Sequence, residues 1–233
     1  MDREFWLGHL AIPLGVFLAA VFLQQTVPVD RMLADWIYAL EGHRWSLRDA
    51  PLFSMVLHTG AQKMMVGVGL AVIVAALASL RIERLRPWRR PLAYLAVVMP
   101  LSALLVAGLK EITHVDCPWD LLRYGGSRPF VGLFQHHSGA YPYGRCFPAG
   151  HASGGYALVA LYFFLREVAP DKRWAGLAIG LGAGMLFGMV QQLRGAHFLS
   201  HDLWALAICW FNSLLGYRLF FGNRHRTTKG ASS

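Results

Sequence analysis

Charge is what this chain has least of. Charged types make up 15% of its 233 residues, where a soluble domain carries about 25%. Acidic residues are scarcer still, 13 Asp+Glu against 22 Lys+Arg, for a net charge of +9. A disordered chain needs more charge and less apolar content than the 55% hydrophobic residues found here. A fibrous protein and an ordinary nucleic-acid-binding module are excluded too, the latter because its grip depends on a dense basic surface. Cysteine is almost missing. Cys117, Cys146 and Cys209 are too few for a disulfide scaffold, and their spacing fits no zinc motif. Internal repeats, low-complexity tracts and linkers are also wanting, so residues 1–233 read as one domain. The composition points to lipid as the solvent for most of it.

A helix crossing the hydrocarbon core needs roughly 20 mostly apolar residues. Six segments approach that: Trp6–Leu23, Lys63–Leu80, Pro91–Leu109, His151–Leu165, Trp174–Leu193 and Leu203–Phe221. The fourth is the weakest as a free span, because it opens with Gly and Ser. The first competes with a signal peptide, but Gln-Gln-Thr-Val-Pro follows it in place of a small-residue cleavage site, so it is read as an uncleaved span. The expected fold is all-α: a six-transmembrane-helix bundle with a surface helix and a long outer loop.

Orientation follows the Lys and Arg. The loop from Arg81 to Arg90 carries five Arg, and the tail holds Arg224, Arg226 and Lys229. With six spans both lie on one side, which is then cytoplasmic together with both termini. Three outer segments remain. The stretch from Pro28 to about Gln62 includes an amphipathic run near Arg31–Leu40, suited to the membrane surface. Glu111–Gly150 is long and rich in Gly, Pro, His and Arg, and Arg194–Asp202 is short.

Ionisable groups are costly near a membrane, so their clustering needs a reason. Lys110 ends span three, His151 opens span four, and Arg194-Gly-Ala-His197-Phe-Leu-Ser-His201-Asp202 joins spans five and six. In a bundle these places can meet at one level. Lys, Arg and two His with no carboxylate pair suit a phosphate ester better than a sugar or a peptide. The duller readings are a snorkelling Lys110 and interfacial His anchors. His114, His136 and His137 fit no motif. The Gly-x-x-x-Gly runs from Gly176 to Gly188 read as close helix packing, not as a ligand loop.

At these residues the chain resembles the type 2 phosphatidic acid phosphatase superfamily of integral membrane lipid phosphatases, as a divergent member. That family carries Lys, six residues, Arg-Pro; then Pro-Ser-Gly-His; then Ser-Arg, five residues, His, three residues, Asp. Here the first motif appears as Lys110-Glu-Ile-Thr-His-Val-Asp-Cys117-Pro118 and the second as Pro148-Ala149-Gly150-His151. The third appears as Gln191-Gln-Leu-Arg194-Gly-Ala-His197-Phe-Leu-Ser-His201-Asp202. The motif-bearing core spans about 91–221. Cys117 stands where the family has Arg, Ala149 where it has Ser, Gln191 where it has Arg, and His201 where it has Asp. Arg194, three residues after Gln191 on a helical face, can reach toward the same phosphate. The cation missing at Cys117 can come from Arg123, Arg128 or Arg145, of which Arg128 is preferred. Gly150 opens a helix whose N–H groups suit an anion.

The resemblance implies that His197 attacks phosphorus and forms a phosphohistidine. His201 or Asp202 orients it. His151 protonates the leaving oxygen and then activates water. Lys110, Arg194 and one loop Arg hold the equatorial oxygens. No metal or other cofactor is required. The expected activity is a phosphatase of the inner membrane, facing the periplasm. Its expected partners are membrane lipids and a lipid phosphate substrate, with no nucleic acid: undecaprenyl diphosphate, lipid A phosphate or phosphatidylglycerol phosphate. The rivals are a lipid phosphotransferase using the same site and an inactive binder or transporter of anionic lipid.

On that topology Cys117 and Cys146 lie in an oxidising compartment. They are predicted to pair, closing a loop of about 30 residues worth on the order of 3 kcal/mol. Cys209, inside span six, reads as a packing residue.

Overall fold

The computed structural model describes residues 2–132, 135 and 144–222. These are helical with no strand among them, apart from an isolated bridge between Leu121 and Arg128. We number the helices α1 (Arg3–Thr26), α2 (Val29–Leu40), α3 (Leu52–Ala78), α4 (Arg89–Thr113), α5 (Gly150–Tyr156), α6 (Ala160–Val168), α7 (Arg173–Leu193) and α8 (Leu199–Phe221). Five helical segments, those containing α1, α3, α4, α7 and α8, are long and apolar enough to cross a membrane. The chain is a multi-pass membrane protein.

The fourth expected span departs from that description. Residues 150–168 are helical throughout, but a 3-10 turn at Ala157–Val159 separates α5 from α6. No single helix there reaches spanning length. The reason is its place at the centre. Gly155, Tyr156, Ala157, Val159, Ala160, Tyr162, Phe163 and Phe164 are all buried, so neighbours on every side dictate its path. The glycines of α7 form the closest of those contacts. A Cβ at Gly180 would run into the backbone of Leu158 and Val159, and one at Gly184 into the Tyr156 ring. The small-residue stripe therefore packs helix against helix, as its spacing implied.

The second span also differs from expectation. It starts at Leu52, well before Lys63, because Leu52–Gly60 is a π-helical extension that runs straight into α3. Pro51 sits at its start, where a missing N–H costs nothing. The amphipathic run near Arg31–Leu40 is α2, whose Ala34 and Ile37 turn inward.

Burial grades outward. The most apolar windows of α1 and α3 contain no buried residue, whereas about a third or more of each corresponding window is buried for α4, α7 and α8. Val16, Phe22, Val66, Leu70 and Val74 project from the two outer helices, as lipid-facing side chains should. One core unites Tyr94, Val98, Phe163, Tyr217 and Phe221. Polar clasps fix its helices. Asn212 Nδ2 donates to the Val98 carbonyl at 3.0 Å and to Ser102 Oγ at 2.8 Å, and the Tyr94 hydroxyl donates to the Ser213 carbonyl at 3.0 Å. Helix α1 is attached through a proline effect. Pro13 has no N–H for the carbonyl of His9, four residues earlier. A π-helical turn forms at Leu7–Ala11, and Trp210 Nε1 donates to that carbonyl at 2.9 Å.

Candidate functional site

The short segment between α7 and α8 makes the first part of the site. Gly195 ends α7 with φ +69°, a left-handed conformation that suits glycine. Its missing Cβ leaves room for the Trp45 ring. The turn then delivers His197, which is 7% exposed, against α8. His197 Nδ1 faces His201 Nδ1 at 3.3 Å. The backbone carbonyl of Cys146 bonds to both imidazoles. Burial above all, then the charges of His201, Lys110 and His151, pushes the pKa of His197 well below the ordinary 6.5. Its ring is therefore neutral, with a free lone pair.

Lys110, near the end of α4, reaches toward the same place. Its Nζ stops 3.3 Å from where a Cβ on Gly150 would stand, so the glycine leaves space for the ammonium. His151, one residue into α5, sets its Nε2 3.1 Å from the Leu57 carbonyl. A carbonyl only accepts, so Nε2 carries the proton and Nδ1 is the open nitrogen. Arg194, 8% exposed, donates from Nε to the Arg48 carbonyl at 2.8 Å and from Nη1 to Gln191 Oε1 at 3.1 Å. Burial lowers its pKa from the usual 12.5 against the pull of Asp49, which leaves it a cation at any physiological pH. Lys110, His151 and the pair Arg194 and His197 thus come from three segments and share one electrostatic environment.

A residue absent from the sequence reading stands among them. His58, on the π-helical start of α3, stacks against His151 with ring centroids 4.6 Å apart. Its Nδ1 lies 3.0 Å from Gln191 Nε2, and it sits in the field of Arg194 and Lys110. The only available signal was a lone His beside Gly60 in a stretch read as an outer segment. Extending span two toward Pro51 would have put it on a helix.

Other expected site residues are placed elsewhere. Asp202 does not orient His197. One residue beyond His201, it is turned about 100° further around α8. Its Oδ2 accepts from Gln192 Nε2 at 2.5 Å and packs against Gly188. The side chain in contact with His197 is that of His201. The three loop arginines are each held by a carboxylate outside this cluster. Arg128 pairs with Asp116, Arg123 with Asp35 at 2.6 Å, and Arg145 with Glu111 at 3.0 Å. The Arg123 contact holds the Asp35 carboxyl below the usual carboxylate range. Cys117 and Cys146 are bonded to each other with Cα atoms 5.2 Å apart, and Cys209 is a buried thiol. His136 and His137, like the tail cations Arg224, Arg226 and Lys229, lie outside the described residues.

The sequence profile of the PAP2 superfamily matches residues 91–225, which takes in α4 through α8 and every motif residue of the cluster. The chain belongs to the PAP2 superfamily. Its members are generally phosphatases that act on phosphate esters, often those of lipids. No curated protein and no solved structure is significantly similar to the chain. In this PAP2 protein His58 comes from a helix that precedes the matched region.

A cavity of about 300 Å³ has His201 of this PAP2 protein in its wall, but not Lys110, His151, Arg194 or His197. Asp30, Arg31, Phe147, Ser200 and Trp204 line it. Burial raises the pKa of Asp30, whose carboxylate accepts from the Ser200 N–H at 2.8 Å and so ties α2 to the start of α8.

Proposed function

We propose that this protein is a membrane lipid phosphatase that works through a phosphohistidine at His197, with its site on the extracytoplasmic side. The observation that carries the reading is a neutral, back-supported imidazole in the field of Lys110 and of a second imidazole, His151, which itself lies in the field of Arg194. A phosphoryl group needs fixed cations for its equatorial oxygens, a nucleophile on one side and a proton carrier on the other. With Nδ1 of His197 turned to His201, Nε2 is the nitrogen left for phosphorus. It attacks, the bond from phosphorus to the lipid oxygen breaks, and His151, whose open Nδ1 takes up a proton from water as the anionic substrate binds, gives that proton to the leaving oxygen. Water then attacks the N–P bond. His151 takes the water's proton, and inorganic phosphate and free His197 result.

Lys110 and Arg194 supply the fixed charge. Arg128, Arg123 and Arg145 are occupied by carboxylates, so the role once assigned to a loop Arg passes to these two and to the helix start at Gly150. The five Arg between Arg81 and Arg90, at the other end of α4 from Lys110, favour a cytoplasmic location for that end. The Cys117–Cys146 bond fits a site facing an oxidising periplasm. Undecaprenyl diphosphate, lipid A phosphate and phosphatidylglycerol phosphate are the substrates to screen.

The deciding experiment follows phosphate release by purified protein across that panel, with His197→Ala alongside. Release by the wild type and none by the variant is the expected result. Undiminished release by His197→Ala would remove the phosphohistidine. Transfer of label to a second lipid in place of water would identify a phosphotransferase, and inertness on every lipid would favour an anionic-lipid binder.

A further inference from the structure

The motif residues leave His58 without a task. It is half-buried, sits against His151, and its hydrogen-bond polarity can be worked out. The Arg194 guanidinium can only donate. Its Nη1 contact at 3.1 Å therefore fixes the oxygen of the Gln191 amide toward Arg194. The amide nitrogen then points the other way, toward His58 Nδ1 at 3.0 Å. Since that nitrogen donates, His58 Nδ1 accepts, and the ring proton sits on Nε2. Arg194, Gln191 and His58 form a directed chain that leaves one N–H at its end, beside His151 and in the field of Lys110.

We propose that His58 is a phosphate ligand of the site, donating its Nε2–H to the substrate phosphoryl group, with Gln191 as the positioning residue that holds this tautomer. The inference rests on the phosphatase reading of His197. It accounts for Gln191 in the place where the family has Arg. An Arg there would contact phosphate itself, whereas Gln191 passes the polarity of Arg194 to a ring that reaches in from α3. It also ties the N-terminal part of the chain, outside the region matched to the family, to the chemistry.

The test uses the purified full-length protein and the best lipid phosphate from the screen, with inorganic phosphate as competitive inhibitor. Loss of one hydrogen bond to an ionised group predicts that His58→Ala lowers kcat/KM by about 10- to 100-fold and weakens phosphate inhibition by a comparable factor. His58→Gln keeps an N–H donor and should recover most of both. Gln191→Met should lose about 3- to 10-fold on its own and less than that in the His58→Ala background, where the part of its effect that runs through His58 is already gone and only its contact with Arg194 is left to lose. Three outcomes overturn the proposal. The first is His58→Ala at wild-type kcat/KM while His197→Ala is dead, which leaves the phosphatase reading intact. The second is a loss of kcat with unchanged phosphate inhibition and no rescue by Gln, which would make His58 a packing partner of His151. The third is full activity in His197→Ala, which removes the reading beneath it.

Discussion

Asparagine at position 201 separates the role of the His201 ring from its bulk. The contact with His197 runs through His201 Nδ1 at 3.3 Å. That atom is as many bonds from Cα as Oδ1 of asparagine, so His201→Asn places an acceptor at the same reach. Glutamine overshoots it, and alanine removes it. His197 is 7% exposed, so an Nδ1–H that loses an acceptor finds no ready replacement in water. A buried donor deprived of a partner costs about 1–3 kcal/mol, a factor of about 5 to 150 in rate if the cost falls on the attacking geometry. The Cys146 carbonyl still bonds to His197 and should hold the loss in His201→Ala toward the lower half of that range. His201→Asn should stay within about threefold of wild type by the same arithmetic. Initial rates of phosphate release from a lipid phosphate, with unfolding temperatures measured in parallel, make the comparison. Equal losses in the Asn and Ala variants, with both proteins folded, would refute an orienting role for Nδ1 and leave His201 as core packing.

Further outcomes follow from other parts of the structure. Because burial and nearby cations lower the His197 pKa, the acid limb of kcat/KM that reports its protonation should fall below the ordinary 6.5; a limb at or above that value contradicts the assigned environment. Gly180→Ala and Gly184→Ala should each lower stability by about 1–3 kcal/mol through backbone and ring clashes, while Gly182→Ala on the same helix meets nothing within 4 Å and should be neutral; thermal unfolding in detergent distinguishes them. Reduction of the Cys117–Cys146 bond should cost on the order of 3 kcal/mol and also slow turnover, since the Cys146 carbonyl braces the His197 pair; alkylation mass spectrometry before and after reduction checks the bond itself. Asp30 has a raised folded-state pKa, so its contribution to stability is present at low pH and lost as pH rises through that value. Asp30→Asn keeps an acceptor for the Ser200 N–H and should flatten the decline in unfolding temperature as pH rises above the ordinary carboxylate value of 3.8.

Much of the site was legible because it is written in contiguous motifs at helix ends. Lys110, His151, Arg194 and His197 could be placed at neighbouring helix ends from the sequence, and the family resemblance singled them out. The choice between His201 and Asp202 could not, because a helix turns about 100° per residue and its phase was unknown. The partners of the loop arginines were hidden for a different reason. Sequence shows a cation but not its carboxylate, and Asp116, Asp35 and Glu111 each neutralise one. His58 was hidden by a boundary. Thr59 and Gly60 look like a loop, yet the backbone continues through them as a π-helix, with Thr59 Oγ1 donating to the Ser54 carbonyl at 3.0 Å. The broken path of residues 150–168 is a tertiary effect, imposed by neighbours that no local pattern reports.

Where α7 meets the central segment, bare backbone lies on bare backbone at Gly155, Gly180 and Gly184. At Gly155 and Gly180 no side chain intervenes, and at Gly184 the Tyr156 ring fills the space, so the two strips cannot slide past each other. His151 heads one of them and Gln191 and Arg194 end the other, which makes the pair a stiff ruler for the height of the reacting groups. On the lipid-phosphatase reading, accommodation of different tails must then fall to α1 and α3, whose apolar windows hold no buried residue. New substrate preferences should therefore arise by change in those two outer helices while the ruler stays as it is.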